Sequence, residues 1–260
     1  MQQHHSSSSS SSSDAERPIP PERRLRIAEV RNVRSITPHM RRVTIGSTAL
    51  ADFPVRRPAQ WIKLFVPTPQ SEKPSGRAYT IRQFREDSGE MDIDFVLHGD
   101  GPCSTWAASV KPGDVVQLAG PRSGFRLDPE ITHLLIGGDE TALPAIGSIL
   151  EALPPGLAVD VFVEIPEDAD VQVIRSRADV EITWLPRNGR EAGTATDLAA
   201  AMMSADLPEE NCEVWFAAES ATVRTVRRHF QLDRAMPRDR LTMSGYWKKG
   251  ETDFHDREGD

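Results

Sequence analysis

The sequence predicts two consecutive folding units, an antiparallel β-barrel and then a parallel α/β domain. Three observations predict it. Short apolar or alternating runs recur between turn residues from Leu25 to Leu118. Beyond Gly120-Pro121-Arg122 the rhythm changes to strands alternating with helices. The charge also changes sign near the same place, with 17 Lys and Arg against 11 Asp and Glu over residues 21–126, and 13 against 26 over 127–260.

The chain opens on Met1-Gln2-Gln3-His4-His5 and a serine run ending at Ser13. Such a stretch has nothing to bury, so residues 1–20 are expected to be a disordered, tag-like tail. Barrel strands are expected at Leu25–Val30, Val43–Ile45, Trp61–Val66, Tyr79–Arg82, Met91–Leu97 and Val115–Leu118. Turn residues separate them: Thr37-Pro38, Pro67-Thr68-Pro69, Asp87-Ser88-Gly89 and Lys111-Pro112-Gly113-Asp114. One helix is inserted near Cys103–Val110. The second unit reads as strand Leu134–Gly137, helix Ala142–Leu153, strands Val159–Val163 and Val180–Leu185, helix Ala195–Met203, strand Cys212–Ala217 and helix Ala221–Leu232. The boundary falls near 126–131, giving units 21–128 and 129–260.

At 260 residues, with 27% charged and 38% hydrophobic residues, the chain can bury two cores. No apolar run reaches the roughly 18 residues that span a bilayer. No leader-like apolar segment follows the polar start, so a cytoplasmic protein is expected. Two cysteines, Cys103 and Cys212, exclude a disulfide scaffold and a four-cysteine cluster. His39, His98, His133, His229 and His255 lack ligand spacing, so no protein metal site is expected. No dense basic run with interleaved aromatics points to nucleic acid. The basic first half suits an anionic ligand, although drift of surface charge gives the same count.

Two segments carry chemistry. In Arg77-Ala78-Tyr79-Thr80-Ile81-Arg82 a ring, a hydroxyl and a cation share one strand. The tyrosine can cover a flat conjugated ring, and an arginine fork suits a diphosphate. The alternative is an edge strand with solvated arginines. In His98-Gly99-Asp100-Gly101-Pro102-Cys103-Ser104-Thr105-Trp106-Ala107 glycines lead from a strand into a helix. Their backbone can approach a phosphate, and the helix start points amides at it. The alternative is a glycine-rich turn with Trp106 in the core.

Together, Arg-x-Tyr-Thr and His-Gly-x-Gly-Pro-x-x-x-Trp-Ala resemble the flavin-binding region of siderophore-interacting proteins, ferric-siderophore reductases of the ferredoxin–NADP reductase superfamily. Three further segments are similar to that family: Gly138-Asp139-Glu140-Thr141-Ala142-Leu143-Pro144-Ala145-Ile146, then Trp215-Phe216-Ala217-Ala218-Glu219 followed by Arg224, then Ser244-Gly245-Tyr246-Trp247-Lys248-Lys249-Gly250. The resemblance spans roughly residues 24–255, in order.

The resemblance implies an FAD-binding barrel and an NAD(P)-binding α/β domain. Arg77, Tyr79 and Thr80 would meet the flavin ring and its near phosphate. His98, Gly99, Gly101, Pro102, Cys103, Ser104 and Trp106 belong to the segment that would hold the diphosphate. Gly138, Asp139, Thr141 and Ala142 would face nicotinamide and flavin, with Glu219 beside them. Read locally, that turn is also an ordinary strand-to-helix turn with Asp139 or Thr141 as N-cap. Tyr246 and Trp247 would edge the flavin, and Arg57, Arg122, Arg126, Lys248 and Lys249 are candidates for docking an anionic chelate.

Two positions depart from the family. Cys103 stands where alanine is usual; a thiol at a helix start can have a lowered pKa, and the alternative is a small residue tolerated in a tight turn. Ala218 stands where glycine is frequent. There is no G-x-G-x-x-G fingerprint. Arg187, Arg224, Arg227 and Arg228 are the cations that could meet a 2′-phosphate, so NADPH, NADH and a ferredoxin all remain open as donors. The expected function is NAD(P)H-dependent reduction of a ferric siderophore on FAD, with no essential acid–base residue. A general flavin, quinone or partner-protein reductase and a non-redox chelate-binding protein are the alternatives.

Overall fold

The computed structural model describes residues 24–68, 71–99, 101–251 and 254. The expected tail at 1–20, Asp100 and His255 lie outside the described residues.

The first unit is a seven-stranded antiparallel sheet: β1 Arg26–Thr37, β2 Met40–Gly46, β3 Trp61–Thr68, β4 Ser71–Thr80, β5 Gln83–Arg85, β6 Glu90–Val96 and β7 Val115–Arg122. Its order is β4-β3-β7-β1-β2-β6-β5. The two edge strands are consecutive in the chain, joined only by Ile81 and Arg82. The Arg82 amide donates to the Asp92 carbonyl on β6, and the Ile81 amide to the Gln60 carbonyl ahead of β3. The sheet therefore curls back on itself as a barrel. Alternation sends Val43, Ile45, Ile62, Leu64, Met91, Ile93, Val116 and Leu118 inward, all buried. Helix α1, Pro102–Ser109, closes one end through Cys103 and Ala107.

The second unit is a parallel sheet of β8 His133–Gly138, β9 Ala158–Ile165, β10 Asp179–Pro186, β11 Cys212–Glu219 and β12 Leu241–Trp247. Its order is β10-β9-β8-β11-β12. Helices α2 Leu143–Ala152, α3 Asp197–Ser204 and α4 Ser220–Arg228 cover it. α2 and the underside of the barrel share one apolar cluster, while α3 and α4 cover the opposite face. Among the described residues no helix is long and apolar enough to cross a membrane.

The predicted elements are all present, and β5 and β12 are additions. β5 has three residues, too few for a period-two signal. β12, LTMSGYW, is a parallel edge strand whose face is only partly covered, so its polar residues mask the alternation. The expected strand at Tyr79–Arg82 belongs mostly to the end of β4.

Side chains also fasten the two units. Ser148 Oγ on α2 accepts the Ala59 amide at 2.9 Å. Arg82 forks onto Glu151 with bonds of 2.5 and 2.7 Å. Its guanidinium lies about as close to Gly147 as a methyl there would allow, with Nε 3.0 Å from an added Cβ. A side chain at 147 would push that fork off the helix.

Candidate functional site

The parallel sheet changes direction at β8: β9 continues on one side of it and β11 on the other. Ligands of open α/β sheets bind at such a switch point, off the carboxyl ends of the strands. Gly138 ends β8 opposite Ala217 on β11. A Cβ at Gly138 would meet both the Ala142 Cβ and the Ala217 carbonyl at 2.6 Å, so only glycine lets the two strand ends close up.

Asp139 follows, 3% exposed, and ties the crevice together. Its Oδ1 accepts the Thr141 amide at 3.0 Å and the Thr141 hydroxyl at 2.5 Å. Its Oδ2 accepts the Glu219 amide at 3.0 Å and the Trp247 indole N–H at 2.8 Å. Burial first, and then the neighbouring Glu140 charge, push its carboxyl up to about 6, although these hydrogen bonds pull it down. Glu219 caps α4: its Oε2 accepts the amides of Ala221 and Thr222 at 2.5 and 3.2 Å, and its Oε1 the Lys249 amide at 3.2 Å. Three segments the sequence singled out therefore meet at one point: the Gly138–Thr141 turn, the end of β11 and the Tyr246–Lys249 run.

The same point reaches the barrel. The Tyr246 phenol adjoins Thr80, the last residue of β4. Burial pushes this phenol up to about 12, although Thr80 pulls its pKa down. Its ring stands edge-on to Trp215, centroids 6.5 Å apart. Thr80 pairs with Trp61, and Trp61 pairs in turn with Arg122, whose guanidinium covers the indole at 5.1 Å. Arg122 is exposed and borders this junction.

Around the glycine loop, Tyr79 packs on Phe95 with centroids 4.4 Å apart, and Phe95 on Trp106 of α1 at 5.5 Å. The Tyr79 phenol is pushed well above its ordinary value, chiefly by burial and then by the adjoining Cys103. The Cys103 thiol is buried beside Tyr79 and Ser75. Burial raises its pKa, the opposite of the lowering a helix start can give: the thiol points into the barrel core, away from the amides of the first turn. Arg77 lies close enough to Tyr79 and Cys103 for its charge to pull both pKa values down.

The loop fits a phosphate group. A Cβ at Gly99 or Gly101 would meet nothing within 4 Å, so open space lies against the backbone there. Gly101 starts α1 with no side-chain cap and Pro102 in the first turn, which leaves the helix start to an outside acceptor. Ser104 turns back to accept the His98 amide at 3.0 Å and fixes the loop.

Other candidates sit differently. Lys248 is ion-paired to Glu251, and Lys249 to Glu191 at 2.7 Å, so both lysines carry a carboxylate already. Arg57 and Arg126 are exposed, and Arg57 gives its amide to Gln60 at 2.9 Å. Arg224 donates to Ser220 Oγ at 2.9 Å and Arg227 to the Met243 carbonyl at 2.9 Å.

Arg187 cannot meet a 2′-phosphate in this conformation, because it is 7% exposed and already taken. It forks onto Glu140 with bonds of 2.6 and 2.7 Å, and also reaches Glu164 at 3.2 Å. This buried cluster holds the turn after β8 from below. Sequence reasoning gave Glu140 and Glu164 no role. The available signal for Glu164 was a carboxylate near the apolar end of β9, AVDVFVEI, a strand that also carries Asp160. Burial pushes Glu164 up to about 7, against the pull of Arg187. A raised carboxyl stabilises the fold at low pH and loses that contribution as pH rises through its folded value. Glu164→Gln is therefore expected to match or exceed the parent's melting temperature at pH 8 and to show no gain at pH 5, read by thermal unfolding at both pH values.

Comparison with known proteins bears on this arrangement. The family model described as "Siderophore-interacting protein" matches residues 131–250, and "Siderophore-interacting FAD-binding domain" matches 29–76 and 68–125. Ferric vibriobactin reductase ViuB of Vibrio cholerae is 30% identical over 84% of this chain and 87% of its own. A siderophore utilization protein from T. fusca superposes with a TM-score of 0.82 at 33% identity, covering 88% of this chain and 94% of that one. A ferredoxin NADP+ reductase from Neisseria gonorrhoeae, 16% identical, shares the fold with a TM-score of 0.64 over 86% of this chain and 99% of its own.

Proposed function

The chain belongs to the siderophore-interacting protein family, and from that premise we propose that it is an FAD-dependent reductase of ferric siderophores, fed by NADPH or NADH. The observation that carries the reading is the junction itself. Tyr246 adjoins Thr80 on the barrel, and Trp247 donates to Asp139 at the switch point, so one short C-terminal run links a flavin-type strand to a nucleotide-type crevice.

In this reading residues 21–128 hold FAD and residues 129–260 receive the nucleotide. Arg77 and the start of α1 hold the diphosphate. Tyr79 and Thr80 border the ring, with Tyr79 kept in place by Phe95 and Cys103. Asp139, Glu219 and Trp247 shape the crevice, their polar atoms already satisfied by one another, which suits positioning better than proton transfer. Bound there, FAD converts a two-electron hydride donor into one-electron delivery to Fe(III). The chelate is substrate: hard oxygen donors hold Fe(II) less tightly than Fe(III), so reduction frees the metal, and we place this step in the cytoplasm. Arg122 is the chain's cation best placed to steer an anionic chelate, ahead of Arg57 and Arg126. The ion-paired Lys248 and Lys249 are secondary.

Acceptor specificity tests the reading. The purified protein with NADPH or NADH is expected to turn over a ferric siderophore faster than a quinone, with Fe(II) trapped by a ferrous chelator. Arg122→Glu is expected to raise the KM for an anionic ferric chelate about tenfold, from a charge reversal worth roughly 1–2 kcal/mol near the surface. Faster quinone turnover would make the chain a general reductase instead.

A further inference from the structure

The turn between β1 and β2 places His39 against the 3-10 turn Asp168–Asp170, which follows β9 in the other unit. His39 Nδ1 lies 2.8 Å from Asp170 Oδ2 and 3.9 Å from Glu167 Oε1. One ligand atom from each of the three residues lies within 4.8 Å of the others. We propose that His39, Glu167 and Asp170 form a site for a divalent transition cation of the zinc type, clamping the barrel to the α/β unit.

Four features carry this beyond a hydrogen bond between units. A His–Asp hydrogen bond explains the 2.8 Å contact but gives no reason for a second carboxylate beside it. Glu167 is too far from the ring to bond it, yet its Oε1 faces the same ring nitrogen as Asp170 Oδ2. A cation at that nitrogen would take both carboxylates. The spacing also suits one: with metal–ligand bonds of about 2.0–2.2 Å, tetrahedral ligand atoms sit about 3.3–3.5 Å apart. The observed 2.8 and 3.9 Å straddle that value, and all three ligand atoms lie within 4.8 Å of one another, so side-chain rotations of about an ångström would bring them around one ion.

Asp170 is also oriented as a ligand would be. It is 3% exposed, and its Oδ1 accepts the His39 amide at 3.1 Å, which fixes the carboxylate with Oδ2 toward the imidazole. Outer hydrogen bonds of this kind aim ligating carboxylates. Finally, the site is open. His39 and Glu167 are about half exposed, at 42% and 51% of their side-chain surface, so an ion can enter without unfolding either unit. One imidazole with two carboxylates is a borderline donor set that selects zinc-like ions over Mg²⁺. The 131 residues between His39 and Asp170 hid this cluster from any reading of ligand spacing.

The test uses the full chain, stripped with a chelator and then titrated calorimetrically with Zn²⁺ and, separately, Mg²⁺. Expected is one Zn²⁺ per chain with a dissociation constant in the micromolar range or tighter, a melting temperature raised by several degrees, and no Mg²⁺ response. His39→Ala is expected to weaken that binding at least 100-fold and to abolish the thermal shift. Glu167→Gln, on an exposed turn, is expected to weaken it about tenfold with the metal-free melting temperature unchanged. The proposal is overturned if Zn²⁺ does not bind, or if it binds the parent and His39→Ala alike, as it would if held by His4 and His5 in the tail.

Discussion

Arg187→Met is expected to lower the stability of the fold by about 3–5 kcal/mol, the usual cost of removing one partner from a buried ion pair. The guanidinium is the shared partner of two buried carboxylates, Glu140 and Glu164. Without it each must either stay charged in a dry site or take up a proton. Arg187 is the leading group that pulls the Glu164 carboxyl down, so the variant carries that carboxyl above the parent's value of about 7. Taking up protons becomes harder as pH rises. The gap in melting temperature between parent and variant is therefore smallest at pH 5 and widest at pH 8, which thermal unfolding across that range reads directly. A gap that stays constant with pH would mean that Arg187 acts through packing alone.

Arg77→Ala is expected to weaken FAD binding by roughly 10–100-fold, from the loss of a charge-assisted bond of about 1.5–3 kcal/mol. Arg77→Lys is expected to recover only part of this, because an ammonium lacks the planar fork. Titrating the apoprotein with FAD by fluorescence gives both values. Tyr79 and Cys103 belong to the same wall, yet Arg77 stands on the partly exposed side of it, where its loss leaves the Tyr79–Phe95–Trp106 packing in place. An FAD affinity unchanged in Arg77→Ala would remove this residue from the phosphate site.

The barrel and the α/β rhythm were legible because their strands obey simple periods: β2 and β6 bury apolar residues at every second position, Val43 and Ile45, then Met91, Ile93 and Phe95, and β11 is buried along its whole length. The residues of the crevice were legible as motifs. Their connections were not. That Asp139 would accept from Trp247, 108 residues away, or Thr80 adjoin Tyr246, follows from the register of β12 on β11, and β12 itself gave little strand signal. Arg187 read as a cation free to meet a 2′-phosphate because its partners are 47 and 23 residues away, and burial is a property of the closed sheet. Lys249 read as a free docking charge for the same reason; it meets Glu191, 58 residues earlier, only once the loop after β10 has folded over the end of β12. Cys103 illustrates the reverse case. Its position at a helix start suggested an activated thiol, yet the side-chain direction sends it inward, where burial dominates.

The most direct test of the central claim is an anaerobic absorbance titration of the FAD-loaded protein, first with NADPH or NADH and then with a ferric siderophore in the presence of a ferrous trap. The account predicts that the visible flavin absorbance bleaches with the nucleotide, returns on addition of the chelate, and is matched by trapped Fe(II) at two per flavin. Bleached absorbance that the ferric chelate cannot restore would contradict it.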